Sequence, residues 1–252
     1  MTIDNPSANQ IPGLRQLWQQ AFGDTKVFLD GFFATGFSPH RCRCITENGQ
    51  IVAALYWFDC EFHEKPVAYL YAVATAEGFR GKGFCRRLME DTHAHLASLE
   101  YTGAILVPAS KALFDFYARM GYALFSTLRE FPCSPGKHAE ILRQISPEEY
   151  ARLRREVLPE NGVIQDSATL AFLGTYASFY TGDGLLLAAV SDGDTVFVPE
   201  LLGDPSRAPG IVTALGKKTG IFRAQGDAHP FAMYRSFTDA PTQTGYFALA
   251  LD

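Results

Sequence analysis

The chain has 252 residues, room for one large domain or two small ones at about 100–200 residues each. Its composition, 47% apolar and 19% charged, is that of a globular protein with enough apolar mass for a real core. A formal charge of −5 and the lack of any basic tract give no general electrostatic reason to bind nucleic acid or an anionic membrane.

The elements follow from periodicity. Ile11–Phe22 places Leu14, Leu17, Trp18 and Phe22 at helical spacing. Val27–Phe37 repeats the pattern with Phe28, Phe32 and Phe33, and Asp24 or Thr25 can cap its start. Then the period becomes two. Arg41–Glu47 and Gln50–Cys60 form a hairpin around Asn48-Gly49. Val67–Thr75 is apolar on both faces, as a central strand would be. Phe84–Leu99 reads as a helix with Phe84, Leu88, Thr92, Leu96 and Leu99 on one stripe. Gly103–Val107 is a short buried strand, Lys111–Met120 a helix that Gly121 can end in a left-handed cap, and Tyr122–Phe131 a strand.

Pro132, Pro135 and Gly136 mark a break, so the expected division is 1–134 and 135–252. Beyond it the pattern predicts a strand at Ala139–Ile145 and helices at Pro147–Val157 and Ser167–Phe179. A hairpin follows, Leu185–Val190 and Val196–Leu201 around Asp192-Gly193, and then a short helix at Pro209–Leu215. Strands near Ile221–Ala224, Phe231–Phe237 and Tyr246–Leu251 close the chain. The second half thus repeats the element order of the first, without repeating its residues.

Five cysteines, an odd number with neither disulfide nor zinc spacing, read as reduced thiols. Met1–Gly13 has no signal-peptide pattern and no apolar run reaches membrane-spanning length, so the expected location is cytoplasmic. His93 and His95, two apart on a helix, diverge too far to share a metal and are expected at the surface; no metal site is expected.

Chemistry concentrates at Arg80-Gly81-Lys82-Gly83, between a strand and a helix. A helix N-terminus offers free N–H groups and a positive dipole end, and glycines before it let an anion approach the backbone. Arg80, Lys82, Arg86 and Arg87 cluster around those glycines, which suits a small phosphorylated ligand. The Walker pattern fails because Lys82 is followed by Gly83 and Phe84. The dinucleotide fingerprint fails because Gly81-x-Gly83-x-x-Arg86 lacks its third glycine. The pattern present is Arg80-x-x-Gly83-x-Cys85, followed by Ser110, then Phe116-Tyr117 and Gly121-Tyr122.

This set resembles the GNAT acyltransferase superfamily, over roughly residues 10–131 and tightly over 67–122. The resemblance implies an α/β fold with a mixed, mostly antiparallel sheet flanked by helices, followed by a degenerate second domain of the same kind. It implies acetyl-CoA as co-substrate. The backbone of Val73 and Thr75 would hold the pantetheine arm; Arg80, Gly81, Lys82, Gly83, Phe84, Cys85 and Arg86 would surround the pyrophosphate; Ser110 stands where an asparagine is common. Cys85 departs from the usual Gly/Ala, and Glu77 from a common proline. The expected reaction is attack of a neutral amine, from a small molecule or a peptide, on the thioester. Tyr117 is the candidate proton donor to the thiolate and the Val73 N–H the candidate oxyanion donor. The base stays open between Glu61, Asp59, water and direct capture of the free amine. Phe28, Phe32, Phe33, Tyr56, Trp57 and Phe58 could line an acceptor site, though such stripes are normally core.

The second half has no such loop: Leu202-Gly203-Asp204-Pro205-Ser206-Arg207-Ala208-Pro209-Gly210 loses amide donors to two prolines. Glu200 and the C-terminal carboxylate of Asp252 are candidates to complete an acceptor pocket. Two other classes remain open: a coenzyme-A-binding sensor without turnover, and a phosphate-ligand module unrelated to coenzyme A.

Overall fold

The structure, a computed structural model, describes residues 1–238 and 244–251. Asp252, with the carboxylate considered above, lies outside the described residues. The chain forms two compact units: Met1–Ala123 with the segment from Tyr234, and Leu124–Met233 with the C-terminal segment.

The first unit contains β1 (Thr2–Asp4), α1 (Ile11–Phe22), α2 (Lys26–Gly31), β2 (Cys42–Glu47), β3 (Gln50–Phe62), β4 (Lys65–Thr75), α3 (Phe84–Ser98), β5 (Gly103–Leu106) and α4 (Lys111–Ala118). Its strands run in the order β1-β2-β3-β4-β5. Pairing is antiparallel up to β4 and parallel between β4 and β5.

Local chemistry explains the ends of these elements. α1 stops at Gly23, whose φ of 76° suits a residue without Cβ, and the Gly23 N–H bonds the Gln19 carbonyl. Thr25 caps α2 by accepting from the Phe28 N–H. The helix expected to reach Phe37 gives way after Gly31 to a π-turn over Phe32–Gly36. That turn puts Phe32 against Trp18, with ring centroids 4.5 Å apart, and Trp18 lies 5.1 Å from Tyr56 on β3. Asn48 and Gly49, with φ of 50° and 79°, close the β2–β3 hairpin.

The second unit holds β6 (Ala123–Cys133, from Leu124), β7 (Arg143–Ile145), α5 (Pro147–Val157), β8 (Ile164–Gln165), α6 (Ser167–Leu173), β9 (Ser178–Gly182), β10 (Leu185–Asp192), β11 (Thr195–Leu202), α7 (Ala208–Ala214), β12 (Thr219–Gln225) and most of β13 (His229–Ser236). Its strand order is β6-β12-β11-β10-β9-β7, antiparallel except for the parallel β11–β12 pair. The series β7-β9-β10-β11-β12 therefore repeats the directions of β1-β2-β3-β4-β5.

Three features differ from the sequence reading. The units divide at 123/124 instead of 134/135, because β6 pairs with β12 along Leu128–Cys133 and is counted with the later strands. The helix expected over Ser167–Phe179 ends at Leu173, and Phe179 lies in β9, an apolar residue that fits either period. Tyr246–Leu251 is not a strand; this segment is buried and makes one bridge, Tyr246 to Gly162. Among the described residues, no helix is long and apolar enough to cross a membrane.

Glu200 is not a pocket residue of its unit. It is fully buried, accepting from the Tyr150 hydroxyl at 2.7 Å and from Arg154 Nε and Nη2 at 2.7 and 2.9 Å. Arg154 Nη1 also donates to the Val163 carbonyl at 3.0 Å. Removing one partner of such a pair leaves the other charge buried and uncompensated. Arg154→Met is expected to cost about 3–5 kcal/mol in urea unfolding followed by fluorescence. A loss below about 1 kcal/mol would show that Glu200 finds other compensation.

Candidate active site

The site starts from a defect in β4. Ala54 faces Ala74 across the β3–β4 pair, but Tyr56 faces Tyr71, so β4 carries one residue more than β3 at this point. Ala72 lies at the bulge with φ of 49°, a left-handed conformation that costs a non-glycine residue on the order of 1–2 kcal/mol. On its other side β4 pairs with β5 only over Val67–Tyr69 against Gly103–Ile105. Beyond Tyr69 the two parallel strands separate.

The separation exposes backbone groups. The Ala76 N–H bonds the Val52 carbonyl toward β3. By the two-residue alternation of a strand, the N–H groups of Val73 and Thr75 face the opposite way, into the gap. The Thr75 carbonyl already accepts from Arg80 Nε at 3.0 Å, which folds Arg80 back over the end of β4.

At the mouth of the gap stands α3. Gly81 and Gly83 have φ of 72° and 83°, and no heavy atom lies within 4 Å of where a Cβ would project on either. The glycines are therefore required by conformation and leave open space beside the backbone. Gly83 caps α3 without a side-chain bond, and the Arg87 N–H bonds the Gly83 carbonyl. The N–H groups of Phe84, Cys85 and Arg86 thus form the open first turn of a 15-residue helix, with its positive dipole end. Thr75, Phe79, Arg80, Gly81, Gly83, Phe84, Cys85, Arg86 and Phe116 line one pocket there.

Seven of the expected cofactor contacts thus lie on a single pocket, and three do not. Val73 sits deeper in the gap. Lys82 turns its ammonium to the Gly78 carbonyl at 2.7 Å and over the Phe79 ring. Ser110 is the N-cap residue of α4, exposed, with no hydrogen bond from its side chain to the helix it starts. Phe79 and Phe116 are wall residues that the sequence reading did not assign. Phe79 packs edge-on to Phe84, at 5.4 Å, and its place beside the loop arginine was the available signal.

Tyr117 is 7% exposed, and its hydroxyl has no hydrogen-bond partner among the described residues. Burial, and secondarily the Cys85 thiol, push its pKa well above the usual phenol value, so it stays protonated at neutral pH. Tyr117 and Cys85 are thus electrostatic neighbours, on α4 and at the start of α3.

The proposed bases lie elsewhere. Asp59 faces Ala68 and Glu61 faces Pro66 in the β3–β4 register. Asp59 is therefore five residues, about 16 Å, from the level of Val73. It is also engaged, by the Tyr101 hydroxyl and by Arg41 at 3.5 Å. His93, expected at the surface, is 4% exposed. Its place three residues before Leu96 and four after Met89, both buried, was the overlooked helical signal.

The sequence of residues 2–125 matches the Acetyltransferase (GNAT) domain family. These residues are a GNAT domain. No curated protein matches the chain. Several solved structures share its fold along most of its length. A GCN5-related N-acetyltransferase from Kribbella flavida matches with a TM-score of 0.69 at 15% identity, covering 93% of this chain and 70% of that one. One from Anabaena variabilis matches with a TM-score of 0.70 at 14% identity over 94% and 73%. Eis1 from Mycobacterium abscessus matches with a TM-score of 0.67 at 11% identity over 94% and 74%. The GNAT fold, a mixed and mostly antiparallel sheet with flanking helices, is thus shown, and the domain is of the acyl-transfer class.

Burial raises the Cys85 pKa from 9.0 to about 11, so its thiol carries little thiolate even at pH 9. Alkylation of Cys85, read by peptide mass spectrometry, is expected to rise with a midpoint near pH 11. A midpoint at or below pH 9 would mean that a positive charge acts on the thiol.

Proposed function

We propose that the first unit is an acetyl-CoA-dependent N-acyltransferase acting on an amine of a small molecule or a peptide. One observation carries this reading: the gap between β4 and β5 ends on the free first turn of α3, joining an extended backbone ladder to an anion cradle. A pantetheine arm with a pyrophosphate is an extended amide chain ending in an anion, and that pair of features is complementary to it.

Acetyl-CoA supplies an acetyl group activated as a thioester. In the proposal the chain's residues do the following. The N–H groups of Phe84, Cys85 and Arg86, with the Arg80 and Arg86 guanidinium groups, hold the pyrophosphate. Val73 and Thr75 bond the pantetheine through their backbones, and the Val73 N–H is positioned for an oxyanion. Tyr117, held protonated by its burial, donates a hydrogen bond to the departing sulfur and transfers its proton as charge builds there. The amine arrives neutral or loses its proton to water, since Asp59 and Glu61 lie at the far end of β3.

The second unit is proposed as a degenerate copy without a cradle. The turn that corresponds to the loop is closed by its own side chain: Asp204 accepts from the Ser206 N–H at 2.9 Å. An acid there opposes an anion.

Acetyl-CoA at a hundred times its dissociation constant is expected to stabilise the protein by about 2.7 kcal/mol. In Gly83→Val, which places a branched side chain at positive φ in the cradle, the stabilisation should vanish. No shift with the wild-type chain would remove acetyl-CoA from the account. A shift without thiol release across a broad amine panel would assign the sensor reading instead. Tyr117→Phe should lower kcat about 10-fold or more with little change in the KM for acetyl-CoA. Unchanged kcat across pH 6–9 would take Tyr117 out of the mechanism.

A further inference from the structure

The cradle does not stand alone. A hollow of about 500 Å³ opens between α1 and the turn that follows β4, and it shares Thr75, Phe79 and Arg80 with the cradle pocket. Gln20 of α1 and Glu77 also border it. A ligand held at the first turn of α3 therefore has this hollow beside it.

The turn that borders the hollow is fixed by backbone bonds. The Phe79 N–H bonds the Ala76 carbonyl at 2.9 Å, and the Arg80 N–H bonds the Glu77 carbonyl at 3.2 Å. Gly78 keeps the strip between Glu77 and Phe79 open, since no heavy atom lies within 4 Å of where its Cβ would project. Phe79 is half-buried, packed edge-on to Phe84 at 5.4 Å, with the Lys82 ammonium 5.5 Å from its ring centre.

The lining is polar without being an anion site. Arg80 is the one cation that borders the hollow among the described residues, and the exposed Glu77 carboxylate opposes a phosphate there. The side chains of Gln20 and Glu77 have no hydrogen-bond or ion-pair partner among the described residues. A carboxamide offers a donor and an acceptor side by side, and a carboxylate offers acceptors only. Adenine presents the complementary edge: N7, which accepts, beside an amino group with two hydrogens to donate, an edge that glutamine bonds bidentately. An aromatic ring next to these groups suits the stacking of a base.

We propose that this hollow is the adenine site of the coenzyme: the base stacks on Phe79, the Gln20 carboxamide bonds its amino group and N7, and Glu77 accepts the second amino hydrogen. Glu77, which stands where a proline is common, then acts in base recognition. The assignment rests on the acetyl-CoA reading of the cradle above.

The test is calorimetric titration of the full chain with acetyl-CoA and with its deamino analogue, in which hypoxanthine puts a carbonyl where adenine has its amino group. The wild-type chain is expected to bind acetyl-CoA about 10-fold more tightly, because that carbonyl would face the Glu77 carboxylate and break the Gln20 pair. Gln20→Leu and Glu77→Ala should each weaken acetyl-CoA and narrow the ratio to about threefold or less. Phe79→Leu should weaken both ligands about 10-fold, because hypoxanthine stacks as adenine does, and should leave 4′-phosphopantetheine, which has no base, within about twofold. Gln20 and Glu77 are exposed, so their variants carry the test if Phe79→Leu does not fold. Equal affinities of the wild-type chain for the two nucleotide ligands would overturn the adenine site and leave the cradle reading standing. A ratio unchanged in both Gln20→Leu and Glu77→Ala would place base recognition elsewhere and also overturn it. So would an equal loss of 4′-phosphopantetheine and acetyl-CoA binding in Phe79→Leu, which would put Phe79 in the cradle alone. If the wild-type chain binds neither nucleotide ligand, the acetyl-CoA reading fails, and this site fails with it.

Discussion

A backbone N–H or carbonyl that loses its partner in a sheet must find another, and β4 is built to lose several at once. The extra residue at Ala72 turns the strand, and pairing with β5 stops at Tyr69. Everything distinctive about the first unit depends on that divergence. It exposes the Val73–Thr75 backbone and brings α3 to the mouth of the resulting gap. The strain at Ala72 persists because both neighbours of the bulge are fixed, by β3 on one side and by the β4–β5 pairs on the other. Local strain held by surrounding structure at a site of proposed binding is a familiar pattern.

Two of the cations at the cradle already have backbone partners. Arg80 is tied to Thr75 and Lys82 to Gly78, so the loop's cations also hold the loop's shape. In the proposed reading, affinity for an anion then comes from the oriented amides of α3 as much as from these side chains. The two glycines matter for that reason: their positive φ values turn the chain sharply enough for the first turn of α3 to face outward.

Much of this was legible in the sequence, for identifiable reasons. Gly81 and Gly83 announced a positive-φ turn before a helix, and Leu88, Thr92 and Leu96 announced which face of that helix is buried. The bulge was not legible, because Ala72 is a residue that ordinarily avoids left-handed conformations, and only the register with β3 reveals it. His93 was misplaced because its polarity was weighed above its position between Met89 and Leu96. Arg235, whose Nη1 lies 2.9 Å from His93 Nδ1, is far away in sequence, and no local pattern links them. Asp59 and Glu61 were named by their acidity; the strand register, which sequence does not supply, places them at the wrong end. In the second half, Phe179 fits a helical stripe as well as a strand, so the end of α6 was missed.

The central claim is that one extended ligand lies along β4 and ends on α3. Its most direct test is an amide-resolved NMR titration of the chain with acetyl-CoA. The account predicts that the largest shifts fall on Val73, Thr75, Gly83, Phe84, Cys85 and Arg86, with those of the second unit's corresponding turn, Gly203–Arg207, unmoved. Shifts centred on Gly203–Arg207, or absent from the α3 first turn at saturating ligand, would contradict it.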